Sequence, residues 1–234
     1  MIDLFPEGFE EVERVDGLEL VAYTDARGEE RLWQMFGGAR AEEVEPGWEE
    51  RWRRFHRPVM IGSLWIGPPW ERPPPGALAV VIEPAAAFGT GAHPTTRLAL
   101  ELLATLPPGS LLDVGCGSGV VAVAAARLGF GPVTAIDVEP QAVAETQRNA
   151  SANGVVVDSI LGDAFAVDLG PADVVVANIT LEAVERLAEA VRCARLVTSG
   201  YLVAVEPRLP GWERLARVER EGWAADVHRP AGRP

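Results

Sequence analysis

The chain is poor in the residues that build disulfide frameworks and metal sites. Its 234 residues hold two cysteines, Cys116 and Cys193, and three histidines, His56, His93 and His228, with no metal-ligand spacing among them. A disulfide-stapled fold is thereby excluded, and no metal site is expected. Long apolar runs are missing as well, since nothing approaches the roughly 18 consecutive apolar residues of a membrane helix. The opening MIDLFPEGFEEVE lacks the basic start and apolar core of a signal peptide. Neither membrane insertion nor export is expected, and the default location is cytoplasmic. Positive charge is scarce, with 21 Lys and Arg against 34 Asp and Glu. The acidic residues are spread along the chain in clusters such as EEVE, GEE and EVEPGWEE, which leaves no basic groove for nucleic-acid phosphates. Direct nucleic-acid binding is not expected. A cationic partner such as a lysine-rich protein is electrostatically easier, and plain solubility is the alternative use of the charge.

What is present divides at WIGPPWERPPPG, Trp65 to Gly76, where prolines and glycines forbid regular structure. Residues 1–57 read as a small α+β domain with LELVAYTD as a strand, GEERLWQMFG as a helix, AEEVEP as a short strand and WEERWRRFHRP as a helix ended by Pro58. The domain is expected to be incomplete, its first strand lacking a partner. Residues 58–76 read as an extended linker rich in Pro and Trp.

Residues 77–234 alternate regularly. ALAVVIEP is an apolar strand, and TTRLALELLATL is an amphipathic helix that Thr95 or Thr96 can cap. LLDVG, VTAIDV, VVVDSILGD, DVVVANI and YLVAVE read as strands. VVAVAAARLG, PQAVAETQRNASANG, LEAVERLAEAVRCA and GWERLARVEREG read as helices. Short β-branched strands alternating with helices predict a doubly wound α/β domain with a mainly parallel sheet, whose ligands lie beyond the carboxyl ends of the strands.

Two glycine-rich loops fall at such ends. In LLDVGCGSG, Gly115, Gly117 and Gly119 let the chain turn sharply and let a ligand approach the backbone. The next strand ends in Asp137, placed to accept ribose hydroxyls, and the third in Asp163, placed to accept an adenine amine. A helix cap or turn is the plainer role for either aspartate. The order GCGSG departs from the GxGxxG of dinucleotide sites. Asp113 just ahead of it would repel pyrophosphate, yet can order waters or the amino group of a methionine moiety. S-adenosylmethionine therefore fits better than a dinucleotide. Asn178 ends the fourth strand, where an amide oxygen can orient an amine. The aromatic that often follows in amine methyltransferases is replaced by ANIT, so Phe88, Trp65 or Trp70 is expected to supply the apolar wall. His93 in FGTGAHPTT is a candidate general base, with local hydrogen bonding as its plainer role. For Cys116, steric fit between two glycines is the expected role.

VIEPAAAFGTGAHPTTRLALELL, LLDVGCGSGVVAVAAARLG, AIDVEPQAVAETQRNASANG and VVANI together resemble the bacterial family that methylates the eleventh protein of the large ribosomal subunit. The resemblance runs from about Ala77 to Glu206. It implies a class I, Rossmann-like S-adenosylmethionine methyltransferase acting on lysine ε-amino or α-amino groups of a ribosomal protein. It also implies cofactor contacts at Thr96, Gly115, Asp137 and Asn178, and the reading of the strand ends adds Gly117, Asp113 and Asp163 as cofactor-binding candidates. Phe88, Gly89 and His93 would belong to a loop over the cofactor, and Asn178, Phe88 and His93 would serve the chemistry. After Trp223 the AADVHRPAGRP tail is short where related enzymes finish their last strand pair, so the far sheet edge is expected to be curtailed. A monomer is expected. Another acceptor (RNA, a small amine or another protein) and a non-catalytic cofactor-binding module remain the alternatives.

Overall fold

The computed structural model describes residues 10–14, 17–21, 32, 57–84 and 91–232. The chain divides into two compact units, Met1–Arg53 and Arg54–Pro234. In the first, β1 (Glu10–Arg14) pairs antiparallel with β2 (Gly17–Val21), Glu10 opposite Val21. The strand expected in LELVAYTD is therefore present and, contrary to expectation, has a neighbour in this chain. The expected elements between residues 28 and 56 fall outside the described residues, apart from Leu32, which is helical.

The second unit opens with a small sheet. β3 (Val59–Ile61) turns back on β4 (Leu64–Gly67), and β4 runs parallel to β5 (Leu78–Val81). The expected linker is thus partly paired strand, and its irregular stretch begins at Pro68, the first of its clustered prolines. Leu64, Ile66 and Val80 are fully enclosed, which is enough apolar burial to order this hairpin.

Seven strands form the main sheet in the order β11-β12-β10-β9-β6-β7-β8. They are β6 (Leu111–Val114), β7 (Val133–Asp137), β8 (Asp158–Leu161), β9 (Ala172–Asn178), β10 (Cys193–Leu202), β11 (Trp212–Arg220) and β12 (Trp223–Pro230). The first five are parallel to one another, whereas β12 is antiparallel to both β10 and β11. Four helices accompany them: α1 (Pro94–Leu103), α2 (Val120–Arg127), α3 (Pro140–Ala152) and α4 (Leu181–Ala190). Strand alternation sends Leu111, Val174 and Val176 into a core with α1 and α2, and Leu112, Val175 and Ala177 into a core with α4. Burial on both faces explains why these strands are apolar throughout.

Three expectations about the chain's last third are corrected. GWERLARVEREG is not a helix: Trp212 to Arg220 is an edge strand registered along the whole of β12. Trp212, Leu215 and Val218 at every third position mimic a helical stripe, and Glu, Arg, Leu and Ala favour helix, but pairing with β12 overrides that local preference. The tail is ordered as a strand, Trp223–Pro230, eight residues long and paired with both β10 and β11. The strand expected at YLVAVE begins earlier and ends at Leu202. Its first residues, Cys193 and Ala194, were expected to close the preceding helix, which instead stops at Ala190.

Only nine residues join β10 to β11, and they form no helix. The sheet face beneath is filled by polar groups instead. The Tyr201 hydroxyl donates to Asp226 at 2.8 Å, and His228 Nε2 lies 3.3 Å from Thr198 Oγ1. Arg217 and Arg214 flank Asp226 at 3.7 and 3.8 Å. Burial pushes the His228 imidazole down to about 4, with the two arginine charges adding to it. It is a neutral structural histidine.

Candidate active site

The loop after β6 is fixed by its neighbours at nearly every peptide. Gly115 and Cys116 N–H both donate to the Ile136 carbonyl, at 2.9 and 3.2 Å. Gly117 N–H donates to Asp137 Oδ2 at 3.0 Å, and Asp137 Oδ1 accepts Glu139 N–H at 3.0 Å. From α3, Thr146 Oγ1 donates to the Gly117 carbonyl and Asn149 Nδ2 to the Ser118 carbonyl. Asn149 Oδ1 also accepts Glu83 N–H, and Asn153 pairs with both the N–H and the C=O of Val81, as a neighbouring strand would. The residues just before FGTGAHPTT are thereby tied to the helix that holds DVGCGSG. Each Asp137 oxygen holds one amide and keeps lone-pair capacity for a further donor, so the carboxylate can accept two vicinal hydroxyls.

Asp113 does not face a ligand, contrary to expectation. Its carboxylate turns inward and accepts Ala122 N–H at 3.1 Å, capping α2, whose N-cap residue Gly119 has no side chain to do so. Burial pushes its carboxyl up to about 7, the Ala122 bond opposes the rise, and the nearby Asp137 charge adds to it. Burial likewise pushes the Cys116 thiol up to about 12. It stays protonated and unreactive. Asp163 lies exposed at the end of β8, where Oδ1 accepts Phe165 N–H at 2.9 Å in a local turn. Asp137 is registered opposite Leu161. The residue after each strand's pairing, Val138 at 60% exposure, and Leu161 itself at 55%, offer an apolar surface at adjoining strand ends. A flat heterocycle fits such a surface, and the apolar signal was present in AIDV and ILGD.

At the other end of the cleft, His93 caps α1. Its Nδ1 accepts Thr95 N–H at 3.4 Å and lies 2.8 Å from Thr95 Oγ1. Neither Thr95 nor Thr96 is the cap, because Pro94 occupies the first helical position and places both threonines inside the first turn. Thr96 is buried there, and its Oγ1 accepts Asn178 Nδ2 at 3.3 Å. This hydrogen bond joins Thr96 of FGTGAHPTT to the end of β9. The His93 ring meets Trp223 edge to face, with centroids 5.1 Å apart. Trp223 was passed over in the sequence, because the residues around it read as a tail. Trp65 is buried in the small sheet, away from the role proposed for it. Phe88 and Gly89 lie outside the described residues.

A cavity of about 740 Å³ lies at the opposite end of the sheet, lined by Ala172, Arg192, Cys193, Trp212 and Pro230. That is the amino end of β9 and β10, whereas ligands of doubly wound sheets sit at the carboxyl end. Among the described residues, no cluster of three or more His, Cys, Asp or Glu could hold a metal ion, and no helix is long and apolar enough to cross a membrane.

The sequence model of the ribosomal protein L11 methyltransferases matches residues 13–206. The chain belongs to this family. The ribosomal protein L11 methyltransferase of Dechloromonas aromatica (strain RCB) is 43% identical over 163 residues, covering 68% of this chain and 54% of that protein. That of Geobacter sulfurreducens is 41% identical over 200 residues, covering 79% and 67%. The chain thus spans little more than half the length of the first of these relatives. The crystal structure of the ribosomal protein L11 methylase from Lactobacillus delbrueckii subsp. bulgaricus matches with a TM-score of 0.66 at 24% identity, over 75% of this chain and 99% of that one. That likeness is one of fold, and it agrees with the Rossmann-like architecture read from the sequence.

Proposed function

We propose that this chain is an S-adenosylmethionine-dependent methyltransferase that modifies lysine ε-amino or α-amino groups of ribosomal protein L11. The observation that carries the proposal is the hydrogen bond from Asn178 to Thr96, which ties the family's distinctive loop to the strand end beside the cofactor cradle. Membership of the family supports the choice of substrate.

S-adenosylmethionine supplies a methyl group on a positively charged sulfur, which a neutral amine can displace. In this reading Asp137 accepts the ribose hydroxyls, Asp163 the adenine amine, and Val138 and Leu161 face the ring. Asn178 donates through Nδ2 to Thr96, which leaves Oδ1 to accept a hydrogen from the methionine or acceptor amine. Alignment of nucleophile, methyl and sulfur is the main demand, and such positioning is worth effective molarities of about 10⁵ to 10⁸ M. A lysine acceptor is neutral in only about one molecule in 10³ to 10⁴ near pH 7. The faces of Trp223 and His93 exclude water and favour the neutral amine.

The test is incubation with methyl-labelled S-adenosylmethionine, purified ribosomal protein L11 and a ribosomal lysate. Label in L11 is the expected result. Label in RNA or another protein assigns a different acceptor, and tight cofactor binding without label assigns a non-catalytic module.

A further inference from the structure

Asn178 is followed by a residue with almost no freedom. In the sheet, β9 lies between β10 and β6, and each of these neighbours places a glycine against Ile179. Gly115, leaving β6 with φ 73°, sits under the Ile179 side chain, so that a Cβ added to Gly115 would overlap Ile179 Cγ2. Gly200, the irregular residue of β10 between Ser199 and Tyr201, has φ 104°. A Cβ added there would overlap the Ile179 carbonyl oxygen and lie 2.9 Å from its carbon and 3.2 Å from its nitrogen. Both positions have a backbone that other residues rarely adopt, and both have no room for one. One peptide is thus held from two sides, by side chain on the cofactor loop and by main chain on the β10 bulge.

We propose that Ile179 is a positioning residue that couples the cofactor loop to the acceptor end of the site. The proposal rests on the methyltransferase reading above. Gly115 is anchored through its N–H to Ile136 beside Asp137, so its location reports the cofactor cradle. Asn178, one residue before Ile179, reaches Thr96 at the acceptor end. Packed interiors transmit a shift rather than absorb it. Any movement of Gly115 displaces the Ile179 β-methyl, and with the carbonyl blocked by Gly200 the displacement passes to Asn178.

The contacting atom makes the idea testable. Valine keeps the β-methyl that isoleucine presents to Gly115, whereas leucine keeps the volume and loses that methyl. The measurements are calorimetric affinity for S-adenosylhomocysteine and kcat for L11 methylation at saturating cofactor, each on Ile179→Val, Ile179→Leu and Ile179→Ala, with thermal unfolding alongside. Leucine and alanine are expected to lower both quantities by about tenfold, the size of measured couplings between neighbouring sites, while valine stays within about threefold of wild type. Leucine at wild-type level, or losses that follow side-chain volume and unfolding temperature alone, overturn the coupling. A wild-type protein that binds the cofactor product but methylates nothing overturns the functional reading and this proposal with it. A working wild type with the wrong variant order overturns only the proposal.

Discussion

Asp113 gives the protein's stability a pH dependence of defined direction. Enclosed beneath the cofactor loop, its carboxyl is pushed up from 3.8 to about 7. Between those values the folded chain holds a proton that the unfolded chain has released, so its contribution to stability is present below about pH 4 and is lost as pH rises through about 7. At about 1.4 kcal/mol per unit, a rise of about 3 units corresponds to about 4 kcal/mol, and the near-complete burial of the side chain leaves little solvent screening to reduce it. Asp113→Asn retains an oxygen for the Ala122 N–H and cannot ionise, at the expense of a buried amide N–H₂ costing about 1–3 kcal/mol. Denaturant unfolding of both proteins at about pH 5 and about pH 8 compares them with the other titrating groups in common. The wild type is expected to lose about 2–3 kcal/mol more than the variant over that interval, levelling above about pH 7. A stability difference that does not change with pH would refute the reasoning and place water against the carboxylate.

Asn178→Ala removes the tie to Thr96 and the proposed amine acceptor together, and should lower both S-adenosylhomocysteine affinity and methylation by about tenfold to a hundredfold, the range for a hydrogen bond to a charged group. A variant with full affinity and full activity would sink the role assigned to Asn178. Tyr201→Phe deprives buried Asp226 of its hydroxyl donor and should cost about 1.5–3 kcal/mol, read as a lower urea midpoint at unchanged slope. Because this network lies between β10, β11 and β12 beneath the β10–β11 connection, cofactor affinity should stay as in the wild type, and a large change in affinity would contradict that separation.

The parallel part of the sheet was legible because β6, β7 and β9 are enclosed on both faces and read as unbroken apolar runs. The positions of Asp137 and Asn178 at the ends of β7 and β9 were legible for the same reason, since each apolar run stops at a polar residue. The antiparallel edge was not. β11 is exposed on much of both faces, so its sequence carries no burial alternation, and only its register with β12 makes it a strand. Trp223, at the start of β12 and against His93, went unrecognised with it. The inward turn of Asp113 was hidden too, because the carboxylate answers a need that arises nine residues later, at the uncapped start of α2. His93 shows the opposite case: the plainer role, fixing local structure, is the one its geometry displays.

The saturation of the cofactor loop has a consequence for what it refuses. Glycine loops that seize phosphate do so with amide hydrogens left unspent at a helix start. Here the hydrogens of Gly115, Cys116, Gly117 and Gly119 already belong to Ile136, Asp137 and Cys116. A diphosphate would find these four amides already engaged and a carboxylate at Asp137, whereas a ligand offering hydroxyl hydrogens finds Asp137 with lone-pair capacity to spare. Amides committed in advance favour a ligand that donates hydrogens to Asp137 over one that needs donors from these four peptides.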